Sequence, residues 1–256
     1  MKTYIVGNWK MHFTVGESSL YFNKLQRNLK PTRNLEVVIA PSTIALQPLS
    51  LQVDRKKLQL AAQNFHARDF GAFTGETSIS QLRGITKYAI VGHSERRHIF
   101  GESNREIRRK IAAALRHNII PILCIGETAD ERTYGETLDV IRDQLLGGLA
   151  DAPVEELKNL IVAYEPVWAI SSTGNAKLAT PDEVADAIKM IRQQLKAMFG
   201  AALTAEIPIL YGGSVNPSNA GAYLMVPDCN GLLVGSSSLI SDQFIDIIET
   251  AKKVQS

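Results

Sequence analysis

A chain of 256 residues that is 45% hydrophobic and 21% charged has an ordinary globular composition and enough length for a large core. Its formal net charge of +2 is too small to argue for a nucleic-acid or membrane partner. The densest basic run, Arg105 to Lys110, reads as the solvated face of a helix, so charge points to neither class.

Strand-like apolar runs alternate with helical periodicity from end to end. Tyr4 to Gly7 is the first strand, followed by a helix from Glu17 to Leu29 with Leu20, Leu25 and Leu29 on its inner face. Leu35 to Ala40 is the second strand, with a weaker helix near Ile44 to Ser50, and Leu58 to Ala62 the third, with a short helix near Ser78 to Arg83. Tyr88 to Val91 is the fourth. The helix after it opens on Ser103-Asn104-Arg105-Glu106, a capping box, and turns Ile107, Ile111 and Leu115 inward. Ile119 to Ile125 is the fifth strand, with a helix near Leu138 to Leu149, and Leu160 to Tyr164 the sixth. The next helix starts at Thr180-Pro181-Asp182-Glu183, which supplies a cap, a proline at the first helical position and an acid at the third. Ile207 to Tyr211 is the seventh strand, with a short helix from about Asn219. Leu232 to Val234 is the eighth, and a last helix runs from about Asp242 to Lys253.

Eight β/α units of about 32 residues each, without repeats or a linker, predict a single-domain (β/α)8 barrel over residues 1–256. The strands are continuous apolar runs, as in a parallel sheet covered on both faces. A doubly wound open sheet is the alternative, but its Gly-rich phosphate turn after the first strand is missing. No run approaches the roughly 20 apolar residues that span a bilayer. The N-terminus enters a strand without a charged-then-apolar leader, so a cytoplasmic protein is expected. Cys124 and Cys229 are able to pair in principle, although Cys124, inside Ile122 to Ile125, reads as a buried reduced thiol.

In a barrel of this kind the loops that follow the strands build the active site. Here they carry Asn8-Trp9-Lys10, Gly92-His93-Ser94-Glu95-Arg96-Arg97, Gly126-Glu127, Glu165, Gly212-Gly213-Ser214 and Gly235-Ser236-Ser237-Ser238. Glu165 stands where a buried strand meets solvent, and Pro166 biases it toward extended backbone and removes the next N–H. Taken singly, each residue also has a plain structural role. Glu165 ends a strand, Lys10 is a solvated loop lysine, and His93 caps the following segment. Glu95, Arg96 and Arg97 form an ion-pair network, the preferred reading for Arg97. The two Gly/Ser turns are tight connections, yet they also suit a phosphate. Gly212, Gly213 and Gly235 admit close approach of backbone N–H groups, and a helix N-terminus after each favours an anion.

On these residues the chain resembles the triosephosphate isomerase family. The resemblance rests on Gly7 to Met11, Gly71 to Glu76, Gly92 to Arg97, Cys124 to Glu127, Tyr164 to Ile170 and Tyr211 to Val215. It implies interconversion of dihydroxyacetone phosphate and D-glyceraldehyde 3-phosphate without metal or cofactor. Glu165 then matches the base, His93 the electrophile, and Asn8 and Lys10 substrate contacts, with Glu95 beside the lysine. Ser214, Gly235, Ser236 and a lid serine, Ser171 or Ser172, match phosphate contacts. The loop Gly71 to Glu76 matches a segment that reaches into a second subunit, with Thr74 and Phe73 as contacts of a homodimer. Three positions depart from the family pattern. The lid, Ser171 to Ala176 before Lys177, is three residues longer at its tip. The Gly-Gly after strand eight is Gly235-Ser236, so Ser236 is expected at negative φ. His12 stands where the first motif usually has Asn. Two other functions stay open from the letters alone: a phosphate-binding barrel without catalysis, and an epimerase or lyase acting on a larger sugar phosphate.

Overall fold

The computed structural model describes residues 2–170 and 177–255. Eight strands pair in parallel and in chain order, and the eighth closes onto the first. They are β1 (Thr3–Asn8), β2 (Leu35–Ala40), β3 (Gln59–Ala62), β4 (Tyr88–Val91), β5 (Ile120–Ile125), β6 (Ile161–Tyr164), β7 (Ile209–Tyr211) and β8 (Cys229–Val234). The closing seam sets Gly7 of β1 beside Val234 of β8, so the loops after the first and last strands are neighbours in space.

Alternate residues of each strand face opposite ways. Val6, Val38, Ala40, Ile90, Ile122, Cys124, Ala163, Leu210 and Leu233 share the cluster inside the barrel. Ile5, Ile39, Leu60, Val91, Leu123, Val162 and Val234 belong to the cluster between sheet and helices. Both faces are dry, which is why the strands read as unbroken apolar runs.

The helices are α1 (Val15–Asn28), α2 (Thr43–Ser50), α3 (Ser94–His98), α4 (Asn104–Arg116), α5 (Ala129–Thr133), α6 (Thr137–Leu149), α7 (Pro181–Phe199), α8 (Ala201–Thr204), α9 (Ala220–Leu224) and α10 (Ser241–Gln255). The capping boxes expected at Ser103/Glu106 and Thr180/Glu183 form, and two more appear at Thr14/Glu17 and Thr128/Glu131. The segment near Ser78 to Arg83 is a single 3-10 turn, Ser80–Leu82.

Two expectations are corrected. Leu20 is 75% exposed, and the inner face of α1 belongs to Ser18, Phe22 and Leu25, continued by Leu29 at its end. Residues 18, 22, 25 and 29 follow the helical repeat, whereas Leu20 lies about 200° around the helix from Ser18. Lys110 does not lie on a solvated face. It is buried, bonds Glu102, and donates to Asn64 Oδ1 at 2.7 Å. A carboxylate and an amide oxygen replace the water that burial takes from the ammonium.

Candidate active site

At the C-terminal mouth of the barrel a pocket is lined by Asn8, Lys10, His93, Glu165, Ile170, Gly212, Gly213, Ser214, Val215, Leu233, Gly235 and Ser236. Every described strand-end residue expected to contact substrate lies there, and Glu95 joins through Lys10. Thr74 and Phe73 lie apart, on the loop after β3. Ser171 and Ser172, and the longer tip with them, fall outside the described residues.

Glu165 follows β6 directly, and its N–H bonds the Ile125 carbonyl at 2.7 Å, which extends the sheet by one residue. Its side chain is 2% exposed. One carboxylate oxygen accepts the Ser94 N–H at 3.0 Å, and the other lies 3.2 Å from His93 Nε2. These donors stand in for the water that burial takes from the carboxylate. Gly212 makes the room, because a Cβ there would lie 2.9 Å from Glu165 Cγ. The Cys124 thiol borders the same carboxylate. Burial first, and then the Glu165 charge, push its pKa well above the ordinary thiol range, so it remains S–H.

His93 is both the cap and the pocket residue. Its Nδ1 accepts the Glu95 N–H at 3.2 Å, at the start of α3. A ring nitrogen that accepts an amide proton carries none itself, so the imidazole is neutral with its proton on Nε2, toward Glu165 and the pocket. Lys10 takes a left-handed backbone (φ 51). That turn is held by the Asn8 Oδ1 bond to its N–H at 3.1 Å and by Gln63 Nε2, which donates to the Lys10 carbonyl at 2.9 Å. The Lys10 ammonium meets Glu95 at 2.5 Å.

Arg97 is corrected. Instead of an ion-pair network, it clamps neutral groups: the Gly92 and Cys124 carbonyls at 2.8 and 3.1 Å, and Asn104 Oδ1 at 2.7 Å. A planar fork of donors spans the gap between two strand ends better than it serves a single carboxylate. Arg96 does pair, with Glu102 at 3.2 Å.

The two Gly/Ser turns differ. After β8 a 3-10 turn begins at once, Ser236–Leu239, whereas after β7 the next helix starts only at Ala220. Of these two turns, the one after β8 sets helical amides directly at the pocket. Ser236 has negative φ, as its side chain requires. Ser214 lines the pocket, but both its N–H and its hydroxyl bond the Ala169 carbonyl, at 2.9 and 2.7 Å.

The sequence places Glu127 at a strand end without giving it a role, and it is the group that holds the segment after Glu165. The buried Glu127 carboxylate accepts Trp168 Nε1 at 2.9 Å, the Tyr164 hydroxyl at 3.0 Å and Arg132 at 3.2 Å. The Arg132 guanidinium also lies over the Trp168 ring, 4.3 Å from its centre. The contact of Ser94 with Glu165 was not foreseen either, since it is made by a backbone N–H that any residue supplies. Among the described residues no group of His, Cys, Asp and Glu has the arrangement of a metal site, and no helix is long and apolar enough to cross a membrane.

Comparison with known proteins covers nearly the whole chain. The model of a family described as triosephosphate isomerase matches residues 3–251. Triosephosphate isomerase of Carboxydothermus hydrogenoformans is 42% identical over 249 residues, which is 97% of this chain and 98% of that protein. That of Chloroherpeton thalassium is 40% identical over 253 residues, covering 98% of this chain and 99% of its own. That of Clostridium perfringens is 38% identical over 245 residues, 95% and 97%.

Proposed function

The chain belongs to the triosephosphate isomerase family and interconverts dihydroxyacetone phosphate and D-glyceraldehyde 3-phosphate, and from that premise we propose how its residues divide the work. Glu165 is the base. It takes a proton from the carbon beside the carbonyl, the C–H electron pair becomes the enediolate C=C, and the carbonyl π pair moves onto oxygen. Returning the proton to the former carbonyl carbon gives the isomer, while the hydroxyl proton of the enediol passes to the former carbonyl oxygen and the oxygen that gives it up becomes the new carbonyl. His93 donates Nε2–H to the substrate oxygens, and Lys10, placed by Asn8 and Glu95, offsets the enediolate charge. Gly235 and Ser236 hold the phosphate through main-chain amides, with Ser214 and a lid serine, Ser171 or Ser172, beside them.

One observation carries this reading. Asn8, Lys10, His93 and Glu165 come from three separate loops and line one pocket with the Gly235-Ser236 turn. The bonds to Glu165 fit a resting state. Its two donors, the Ser94 amide and His93 Nε2, are each exchangeable for contacts with substrate when the carboxylate turns toward carbon. In a coupled isomerase assay, Glu165→Asp should lose about 10²-fold or more in turnover, because shortening the side chain by one methylene withdraws the base by more than 1 Å. Turnover near wild type would dismiss Glu165 as the base.

The working unit is a cytoplasmic homodimer of one-domain subunits. Met11 and Phe70 are 96% and 88% exposed, and Ile99 and Phe100 are also largely bare. They sit on the loops after β1, β3 and β4, with Phe73 only partly covered by His66 at 4.0 Å and Arg68 at 5.5 Å. That much bare apolar surface on adjoining loops suits a subunit contact. Sedimentation at micromolar concentration should give twice the chain mass, and a monomer would refute the dimer.

A further inference from the structure

Tyr21 has no part in the chemistry above, yet it joins the two loops that meet at the barrel seam. It sits on α1 one residue before the buried Phe22, and its ring packs on Trp9 at 4.8 Å and on Phe13 at 5.5 Å. Trp9 lies between Asn8 and Lys10. The Tyr21 hydroxyl donates to the Ser238 carbonyl at 2.6 Å, within the 3-10 turn after β8. A phenylalanine would make the same ring contacts, so the hydroxyl is needed for the carbonyl and not for the core. Burial, and then the charge of Asp242, push the phenol pKa up, so it stays a donor throughout the working pH range.

The turn it grips is fastened on every side except the one facing the pocket. Ser237 Oγ donates to the Val215 carbonyl at 2.8 Å, while Ser238 Oγ and Ser238 N–H both donate to Gly235, at 2.7 and 2.9 Å. Neither hydroxyl is left for a ligand. The Ser236 and Ser237 amides head the turn and donate to no protein acceptor among the described residues, as leading amides of a helical turn do. Gly235 borders open space, since a Cβ built there meets nothing within 4 Å.

We propose that Tyr21 is a positioning residue for substrate binding: its hydroxyl, by holding the Ser238 carbonyl, keeps the Gly235-Ser236 turn, and with it the Ser236 amide, aimed at the phosphate before substrate arrives. This rests on the reading of Gly235 and Ser236 as phosphate contacts. It concerns binding of the dianion in ground state and transition state alike, so its loss raises KM rather than lowering kcat.

The test compares wild type, Tyr21→Phe and Gly235→Ala, with inorganic phosphate as a competitive inhibitor. For Tyr21→Phe, the triose phosphate KM and the inorganic phosphate Ki should rise by the same factor, about two- to tenfold for one hydrogen bond, with kcat within about twofold. Gly235→Ala should weaken phosphate more, by setting a methyl in the space the anion needs. If Tyr21→Phe leaves KM and Ki unchanged while Gly235→Ala raises Ki, the role of Tyr21 is overturned and the phosphate turn stands. If phosphate does not compete with substrate, or Gly235→Ala leaves Ki unchanged, both fall. A loss in kcat without a change in Ki marks Tyr21 as merely structural and also overturns the proposal. Should Tyr21→Phe fail to fold, hydrogen exchange on ligand-free wild type decides. Slow exchange at Leu239 and Ile240, the amides that close the turn, supports a preformed turn, and exchange at the rate of an unstructured peptide refutes it.

Discussion

Lys10 shows what one residue costs and contributes. Its left-handed backbone is unfavourable for a side chain with a Cβ by roughly 1–2 kcal/mol, and Asn8 and Gln63 hold it there with hydrogen bonds of 3.1 and 2.9 Å. The strain puts the ammonium against Glu95 and at the pocket edge. Lys10→Ala and Lys10→Gly should both lose about 10²–10³-fold in kcat, the scale of one preorganised charge-stabilising group. They should differ in stability. Glycine usually costs a helix or strand position relative to alanine, but here Lys10→Gly should be the more stable of the two by about 1 kcal/mol, seen as a higher urea midpoint. Equal midpoints would mean that the backbone relaxes and stores no strain. His93 carries the same lesson without strain: by capping α3 through Nδ1, it fixes which nitrogen offers a proton to the pocket.

At the scale of elements, the helices are positioned by their first turns as much as by their faces. Thr180 caps α7, Pro181 opens it, and Glu183 completes the box while also pairing with Arg132 at 2.7 Å. The bond from the Thr180 N–H, opposed by burial and aided by Arg132 and the Thr180 hydroxyl, holds the Glu183 carboxyl below the ordinary glutamate range. A lowered folded pKa stabilises above the unfolded value and ceases to do so as pH falls through the folded one, so this cap weakens only in acid. Thr180→Ala should cost about 1 kcal/mol at neutral pH and lower Tm by roughly 2–4 °C for a domain of this size. A Tm unchanged within error would show that packing alone sets the start of α7. Because Arg132 also touches Glu127 and Trp168, this helix start is tied to the segment that follows Glu165 at the end of β6.

For the whole molecule, barrel closure divides the labour between two mouths. At the C-terminal mouth, polar groups line a pocket. At the other end Glu36 of β2 lies buried and accepts Lys2, Lys87 at 2.7 Å and the Tyr88 hydroxyl at 3.0 Å, with Tyr4 edge-on to Tyr88 at 6.4 Å. Burial would raise the Glu36 pKa, but the bonds from Lys2 and Lys87 outweigh it and leave it lowered. Its stabilising effect is therefore present at neutral pH and is lost in acid, as pH falls through the lowered folded pKa. Glu36→Gln should cost about 1–2 kcal/mol at pH 7, discounted for the partly exposed lysines, and the gap from wild type should narrow in acid. A gap that is constant from pH 7 to pH 3 would show that the charge is irrelevant.

The strands were legible because a parallel strand dry on both faces needs a run of apolar residues, and that need is local. Caps such as Ser103/Glu106 were legible for the same reason, since donor and acceptor stand three residues apart. The strand-end letters also located the pocket, because every loop after a strand opens at the same mouth. Which groups meet across that mouth was decided only by closing the barrel. Glu165 rests on an amide 71 positions earlier, Lys10 on a carboxylate 85 positions later, and Tyr21 on a carbonyl 217 positions away. The burial of Lys110 and the exposure of Leu20 were hidden for a related reason. A side chain's surroundings are set by the neighbours that packing brings to it, and the order of residues along the chain does not name them.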